Sequence, residues 1–256
     1  MSRFRTAAAL VLAGSLAAGA AGCAAPAGTA GADQKLTVFA AASLKAPFTA
    51  LARDFEASHP GTKVALSFAG SADLATQLSQ GAPADVFASA DLKNMAKIAD
   101  AGLVEGDPRN FASNVLAIAV PPANPADIGS FADLARPGVK TVVCAAQVPC
   151  GAAAKSIEAR TGVTLKPVSE ESSVTDVLGK VTSGEADAGL VYVTDVRAAG
   201  EKVKGIAFPE SAAAVNHYPI AAVRTSKNAE LAAAFISLVA GTGGRKVLAD
   251  AGFGSP

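Results

Sequence analysis

Short apolar runs alternate with longer amphipathic stretches along the chain from Lys35 onward. Strands are predicted at LTVFA (36–40), VALSFA (64–69), DVFASA (85–90), VLAIAV (115–120), KTVVCAA (140–146), AGLVYV (188–193) and YPIAAV (218–223). Between residues 44 and 57 apolar side chains recur every three or four positions, as a helix with one buried face requires. Continuous apolar strands alternating with helices indicate an α/β fold with largely parallel sheets.

Two turn-rich stretches interrupt this alternation. They are DPRNFASNVLAIAVPPANPAD, which begins at Asp107, and PESAAAVNHYPIAAV, which begins at Pro209. If the chain crosses between lobes at both, the first lobe is 35–115 plus 220–256 and the second is 116–219. Two discontinuous lobes with a cleft between them describe a hinged solute trap. From the pattern alone, a single doubly wound domain is the alternative.

The N-terminal residues are predicted to lie outside this core. Arg3 and Arg5 precede the small, apolar run AAALVLAGSLAAGAAG, which is too short to span a membrane and is typical of a secretory signal over 1–22. A cysteine directly after AAG resembles a bacterial lipoprotein processing site, so Cys23 is expected to be acylated. Ordinary secretion with an unpaired Cys23 is the alternative. Residues 23–34 are interpreted as a flexible tether.

Composition and charge narrow the classes of ligand. Removal of 1–22 leaves 20 basic and 22 acidic residues, a net charge of −2, and only 5% of the full chain is aromatic, with no Trp. Nucleic acid is therefore not an expected partner, since neither a basic surface nor stacking platforms are indicated. A bound anion would need local donors instead of a global positive field.

Four predicted helix starts share one chemistry. Ser43, Ser71 and Cys150 stand at three of them, and at the fourth Ser173 is a predicted N-cap with Asp176 three residues on. In α/β sheets such starts fall at the carboxyl ends of strands, where ligands bind. Each offers unpaired N–H groups and a positive dipole end, so a convergent set would bind a small oxyanion with neutral donors. Taken singly, each serine is explained by an ordinary cap.

The segments LTVFAAASL, SFAGSADL, GAPADVFASAD and AGLVYVTDV, in this order and spacing, resemble the molybdate-binding proteins of bacterial ABC importers. The similarity extends over 35–256 and includes the closing KVLADAGFG. It implies the two-lobed periplasmic binding protein fold (type II), with two crossover strands and an interlobe cleft. It also implies a monomer without a cofactor that carries molybdate or tungstate to importer permease subunits. With Cys23 acylated, the protein would sit on the outer face of the cell membrane.

The same resemblance assigns five ligand-binding residues. Ser43 and Ser71 would each give a hydroxyl and a backbone N–H, Cys150 and Val174 a backbone N–H, and Tyr192 its phenol. Cys150 departs from the alanine expected there; a backbone donor tolerates the change, but the sulfur would narrow the pocket. For Tyr192, a core tyrosine at a strand end is the alternative.

A site made only of donors suits molybdate, because this anion is fully deprotonated at neutral pH and each oxygen only accepts. Protonated phosphate would need an acceptor in the site. Four acidic residues close by in sequence, Asp73, Glu170, Glu171 and Asp176, are interpreted as capping or rim residues. Sulfate has the same charge and proton count, so a binding protein for another oxyanion such as sulfate is the alternative function. A sensing or scaffold lipoprotein without transport is a further one.

Enzymes and metal proteins are not favoured by the sequence. The two histidines, His59 and His217, both lie next to turn prolines, and FAGSADL is not the Gly-x-Ser-x-Gly elbow of hydrolases. GTGGRK (241–246) follows a helical stretch instead of a strand, which argues against a phosphate-binding loop. Since an exported protein permits oxidation, Cys144 and Cys150 are predicted to form a disulfide, with a reduced pair as the alternative.

Overall fold

The computed structural model describes residues 34–256, which form ten strands and eight α-helices. The strands are β1 Gln34–Ala41, β2 Thr62–Ala69, β3 Val86–Ala88, β4 Val104–Asn114, β5 Leu116–Val120, β6 Thr141–Cys144, β7 Ser169–Glu171, β8 Ala188–Tyr192, β9 Lys204–Ile206 and β10 Asn216–Val223. The helices are α1 Lys45–Ser58, α2 Ser71–Ser79, α3 Leu92–Asp100, α4 Pro149–Thr161, α5 Val174–Thr182, α6 Val193–Ala199, α7 Ala229–Ala240 and α8 Thr242–Asp250. The predicted α/β fold is confirmed.

The strands make two five-stranded mixed sheets, ordered β2-β1-β3-β10-β4 and β7-β6-β8-β5-β9. In the first sheet β1 runs parallel to β2 and β3, while β10 is antiparallel to both of its neighbours. In the second, β6 runs parallel to β7 and β8, while β5 is antiparallel to both of its neighbours. In each sheet four strands run in one direction and the strand next to one edge is reversed, so two of the four strand pairs are antiparallel and the sheets, predicted to be largely parallel, are mixed.

We call the first sheet with α1, α2, α3, α7 and α8 the first lobe, and the second sheet with α4, α5 and α6 the second lobe. The chain leaves the first sheet after Asn114 and enters the second at Leu116. It returns in β10, where Asn216 pairs with Asn114. Residues 216–219, which the sequence division places in the second lobe, therefore pair in the first sheet. As boundaries of separate folding units, 35–115 plus 220–256 and 116–219 stay a prediction.

Three strands, β4, β7 and β9, were not predicted from the sequence, and each lies at the edge of its sheet. Residues 105–110 of β4 are exposed, so this strand has no continuous apolar run. Pro108 is tolerated because an edge strand leaves one row of N–H positions without a ladder partner. The strands β7 and β9 have only three residues each.

Helices cover both faces of the first sheet, which explains the unbroken apolar strands. Neighbouring residues of β1 point to opposite faces. Val38 packs with Phe48 and Phe235 of α1 and α7, whereas Phe39 packs with Leu74 of α2. The second sheet has a core of its own around Ile118, Val142, Leu190 and their neighbours, into which Ala42 and Ala72 from the first lobe also pack.

The predicted signal peptide 1–22, the acylation of Cys23 and residues 23–33 of the predicted tether lie outside the described residues. Gln34, assigned to the tether from sequence, is the first residue of β1. Within 34–256, no single helix is long and apolar enough to cross a membrane; the bent pair α7 and α8 meets the length and composition requirements only when taken together.

Candidate functional site

The structure brings all five predicted ligand residues to one cavity between the lobes. Ser43, Ser71, Cys150, Val174 and Tyr192 line it. The cavity offers about 10 Å³ to the centre of a water-sized sphere, which is about the room that one water molecule needs. All five residues are at most 8% exposed, so the lobes are closed over the cavity.

Four of these residues are positioned by helix starts, as predicted. Ser43 lies in a 3-10 turn between β1 and α1, and Ser71 is the first residue of α2. Cys150 is the second residue of α4, after Pro149, and Val174 is the first residue of α5. The N–H groups at these positions have no acceptor within their own helices, and each α-helix adds the positive end of its dipole. Backbone donors therefore reach the cavity from both lobes.

The Ser71 hydroxyl is set up to donate. Its oxygen accepts a hydrogen bond of 2.9 Å from the N–H of Ala90, and the side chain is 1% exposed. Because this bond uses a lone pair and leaves the hydroxyl proton free, a ligand acceptor in the cavity would complete the coordination of Ser71.

Ser43 takes part in a short polar chain with Tyr218, a residue that the sequence analysis did not assign to the site. The two hydroxyl oxygens are 3.0 Å apart, and the Asn114 amide donates to the Tyr218 oxygen at 3.5 Å. Burial raises the pKa of Tyr218, so its phenol stays protonated. With Asn114 donating to it, Tyr218 can donate to Ser43, which leaves the Ser43 proton for the cavity.

Tyr192 supplies a buried hydroxyl whose oxygen has no hydrogen-bond partner within 3.5 Å among residues 34–256. The side chain is 1% exposed, and burial raises its pKa far above the usual value, so the phenol stays neutral. An unpaired buried hydroxyl costs about 1–3 kcal/mol. A polar atom left in this state on the wall of a cavity points to a ligand oxygen as its missing partner.

The lining of the cavity is electrically neutral, because it consists of Ala, Gly, Ser, Val, Pro, Cys and Tyr residues. The acidic residues named from sequence stay off this wall. Asp176 caps α5, where it accepts from the Ser173 hydroxyl at 2.7 Å and donates its own N–H to that oxygen. Asp195 is buried beside the site and accepts the Tyr192 N–H at 2.9 Å, and burial raises its pKa to about 7.

Two glycines allow the backbone to come close at this site. A Cβ on Gly70 would overlap the carbonyl oxygen of Ser172 in the other lobe, and one on Gly151 would overlap that of Ala145. Gly70 lies inside the quoted segment SFAGSADL, so its neighbour Ser71 was assigned to the site while the glycine itself was missed. Ala42, Ala90, Val148 and Pro149 also line the cavity without having been predicted.

The predicted disulfide between Cys144 and Cys150 is confirmed. It joins the end of β6 to the start of α4, and its Cα atoms are 5.7 Å apart, within the usual range. The bridge closes the turn of residues 145–149, whose last two residues line the cavity. Cys150 therefore has two roles, as a cavity residue and as an anchor of its own helix start.

Closed lobes around a small neutral cavity define a two-lobed solute trap. The profile of the family described as bacterial extracellular solute-binding protein matches residues 36–254. The chain belongs to this family. It is not an enzyme, which confirms the prediction made from the sequence.

Among its relatives, the molybdate-binding protein ModA of Mycobacterium tuberculosis is 51% identical over 231 residues, which cover 90% of this chain and 88% of that protein. The periplasmic molybdate-binding protein of Azotobacter vinelandii has a similar structure, with a TM-score of 0.73 and 22% identity, and the match covers 86% of this chain and 99% of that one. The sulfate-binding protein SubI of Mycobacterium tuberculosis also has a similar structure, with a TM-score of 0.71 and 24% identity, and the match covers 86% of this chain and 86% of that one. These structures confirm the two-lobed periplasmic binding protein fold.

Proposed function

We propose that this protein captures molybdate, and tungstate equally, and delivers it to the permease subunits of an ABC importer. The observation that carries the proposal is a neutral cavity lined by Ser43, Ser71 and Tyr192 and by residues of several helix starts. Every oxygen of a fully deprotonated oxyanion accepts hydrogen bonds, so each donor finds a partner and no acceptor is left facing the anion. The relative that is half identical to this chain bears the name of a molybdate-binding protein, which supports the same ligand.

Selectivity would come from two separate properties of the cavity. Protonated phosphate would bring a donor to a wall without a carboxylate, where a hydroxyl oxygen could accept that proton only by turning its own proton away from the anion, and a lost or unmade hydrogen bond costs about 1–3 kcal/mol. Sulfate matches molybdate in charge and proton count, so its rejection depends on the fit of a smaller anion to donors held at fixed positions. Tungstate matches molybdate in both charge and shape.

Calorimetric titration of the same sample with molybdate, tungstate, sulfate and phosphate tests the proposal. Molybdate and tungstate are expected to bind much more tightly than the other two anions. Equal competition by sulfate would move the assignment to the alternative, a binding protein for another oxyanion such as sulfate. Phosphate binding as tight as molybdate binding would contradict the argument from a donor-only wall.

We further propose that the mature protein is a monomer held on the outer face of the cell membrane by acylated Cys23. This part depends on the sequence, since Cys23 follows an apolar run with a basic start. Mass spectrometry of protein extracted from its native membrane tests it. A mass that corresponds to a diacylglyceryl adduct on Cys23 is expected, and an unmodified N-terminus or an intact residue 1–22 segment would contradict it.

A further inference from the structure

The turn of residues 145–149 is held from the opposite lobe by a buried asparagine. Asn94 of α3 is fully buried, and its side-chain amide donates to the carbonyl oxygen of Gln147 at 3.3 Å. This bond crosses the cleft, because α3 packs in the first lobe and Gln147 follows β6 in the second. It ends on the turn that the disulfide closes.

The Asn94 carboxamide is oriented by bonds within its own lobe. Lys97 donates to its oxygen at 2.8 Å, so the NH₂ group must face the other way. One amide proton goes to the Asp91 carboxylate at 3.0 Å, and the same carboxylate accepts the Asn94 backbone N–H at 2.8 Å. The second amide proton is the one that crosses to Gln147. The donor is therefore preorganised by contacts that do not depend on the second lobe.

A second asparagine reaches the same turn. The Asn216 amide donates to the carbonyl oxygen of Ala90 at 2.9 Å, within the first lobe, and lies 3.5 Å from that of Pro149. The two contacts flank Val148, a residue of the cavity wall. The carbonyl groups of Gln147 and Pro149 thus face the first lobe, while Cys150, which follows the turn, lines the cavity.

A bond that exists only when the lobes meet stabilises the closed form selectively. In an open form, Gln147 and the free amide proton of Asn94 would both bond to water, so the interaction shifts the equilibrium toward closure. Asp91 is the last residue of the segment GAPADVFASAD, and Asn94 comes three positions after it. No residue of this segment was assigned to the ligand from sequence. Their position at the cleft gives that segment a role beside the ligand shell.

We infer that Asn94 is a positioning residue that latches the second lobe over the bound anion and slows its release. The inference rests on the proposed function, since the latch acts on an anion held in the cavity. Asn94 does not contact that anion, because it is absent from the cavity wall. The latch should therefore change how fast the anion leaves and leave the rate of capture unchanged.

The test measures molybdate association and dissociation rates by stopped-flow tyrosine fluorescence. The chain has no Trp and only two Tyr; Tyr192 lines the cavity, and its ring centroid is 6.1 Å from that of Tyr218. In Asn94→Ala, dissociation should be about two- to tenfold faster, which corresponds to the loss of one hydrogen bond, with association unchanged.

Asn228→Ala is the matched control. The Asn228 amide also donates to one carboxylate and one carbonyl, Asp85 at 3.1 Å and Lys35 at 3.0 Å, but both lie within the first lobe. Its two rates should equal those of the wild type. The latch would be overturned if molybdate left Asn94→Ala at the wild-type rate, or if its dissociation were accelerated equally in Asn228→Ala. Failure of the wild type to bind molybdate would instead overturn the proposed function.

A second measurement needs no variant and decides the matter if Asn94→Ala does not fold. The exchange of side-chain amide protons with solvent can be followed by NMR in the wild type, with and without molybdate. The Asn94 amide should become protected when molybdate is added, whereas the Asn228 amide should not change. Equal protection of Asn94 in both states would show that the bond to Gln147 does not depend on closure and would overturn the inference.

Discussion

Removal of the Tyr192 hydroxyl should separate ligand binding from protein stability. Tyr192→Phe keeps the ring, which packs at the end of β8, and deletes only an oxygen that has no partner within residues 34–256. The free protein therefore loses no internal hydrogen bond. In the complex, the anion loses one donor from a shell made entirely of neutral groups.

The two effects have different magnitudes. A hydrogen bond to a charged group contributes about 1.5–3 kcal/mol, so molybdate affinity should fall about ten- to a hundredfold. The free protein should unfold at about the same temperature, because the lobes are open without anion and water then replaces the bond that the hydroxyl makes to the anion. Calorimetric titration measures the first effect, and thermal unfolding without anion measures the second.

Tyr218→Phe is the contrasting variant. The Tyr218 oxygen is bonded to Ser43 at 3.0 Å within the protein, so its removal should destabilise the free protein by about 0.5–1.5 kcal/mol. Native affinity in Tyr192→Phe would refute the assignment of this hydroxyl to the ligand and return Tyr192 to the core. A clear loss of stability without anion would refute the argument from its missing partner.

Three further predictions concern the same site. In Ser43→Ala/Ser71→Ala, affinity should fall more than tenfold, since two hydrogen bonds to a charged ligand are lost at about 1.5–3 kcal/mol each, while circular dichroism stays native; unchanged titrations would make both serines mere caps. In Gly70→Ala the added methyl group should collide with the Ser172 carbonyl of the other lobe, block closure and abolish molybdate binding. The unfolding temperature should change little, since Gly70 has a φ of −59° that alanine also adopts. Native molybdate affinity in this variant would contradict the close approach of the two lobes at Gly70. Burial raises the pKa of Asp195 from 3.8 to about 7, so the folded state holds a proton that the unfolded state releases, and the free energy of unfolding should fall as pH rises from about 4 to 7. Asp195→Asn should remove this pH dependence in unfolding titrations. An unchanged pH dependence in the variant would assign it to other groups.

Local patterns in the sequence determined much of this protein. Each of the seven predicted strands is present, because strands covered on both faces give unbroken apolar runs. Ser43, Ser71, Cys150 and Val174 could be placed at helix starts, since strand ends and capping residues are local features of the chain. The disulfide between Cys144 and Cys150 was also predictable, since a loop of five residues can bring two cysteines within reach.

Only the tertiary structure decided which distant residues meet. The edge strand β4 carries no continuous apolar run, because its residues 105–110 are exposed to water. The partnership of Ser43 and Tyr218 spans 175 positions, and the bond from Asn94 to Gln147 joins two lobes. Such contacts depend on strand order and on the approach of one lobe to the other. No periodicity along the chain encodes them, because periodicity records only which face of an element is buried.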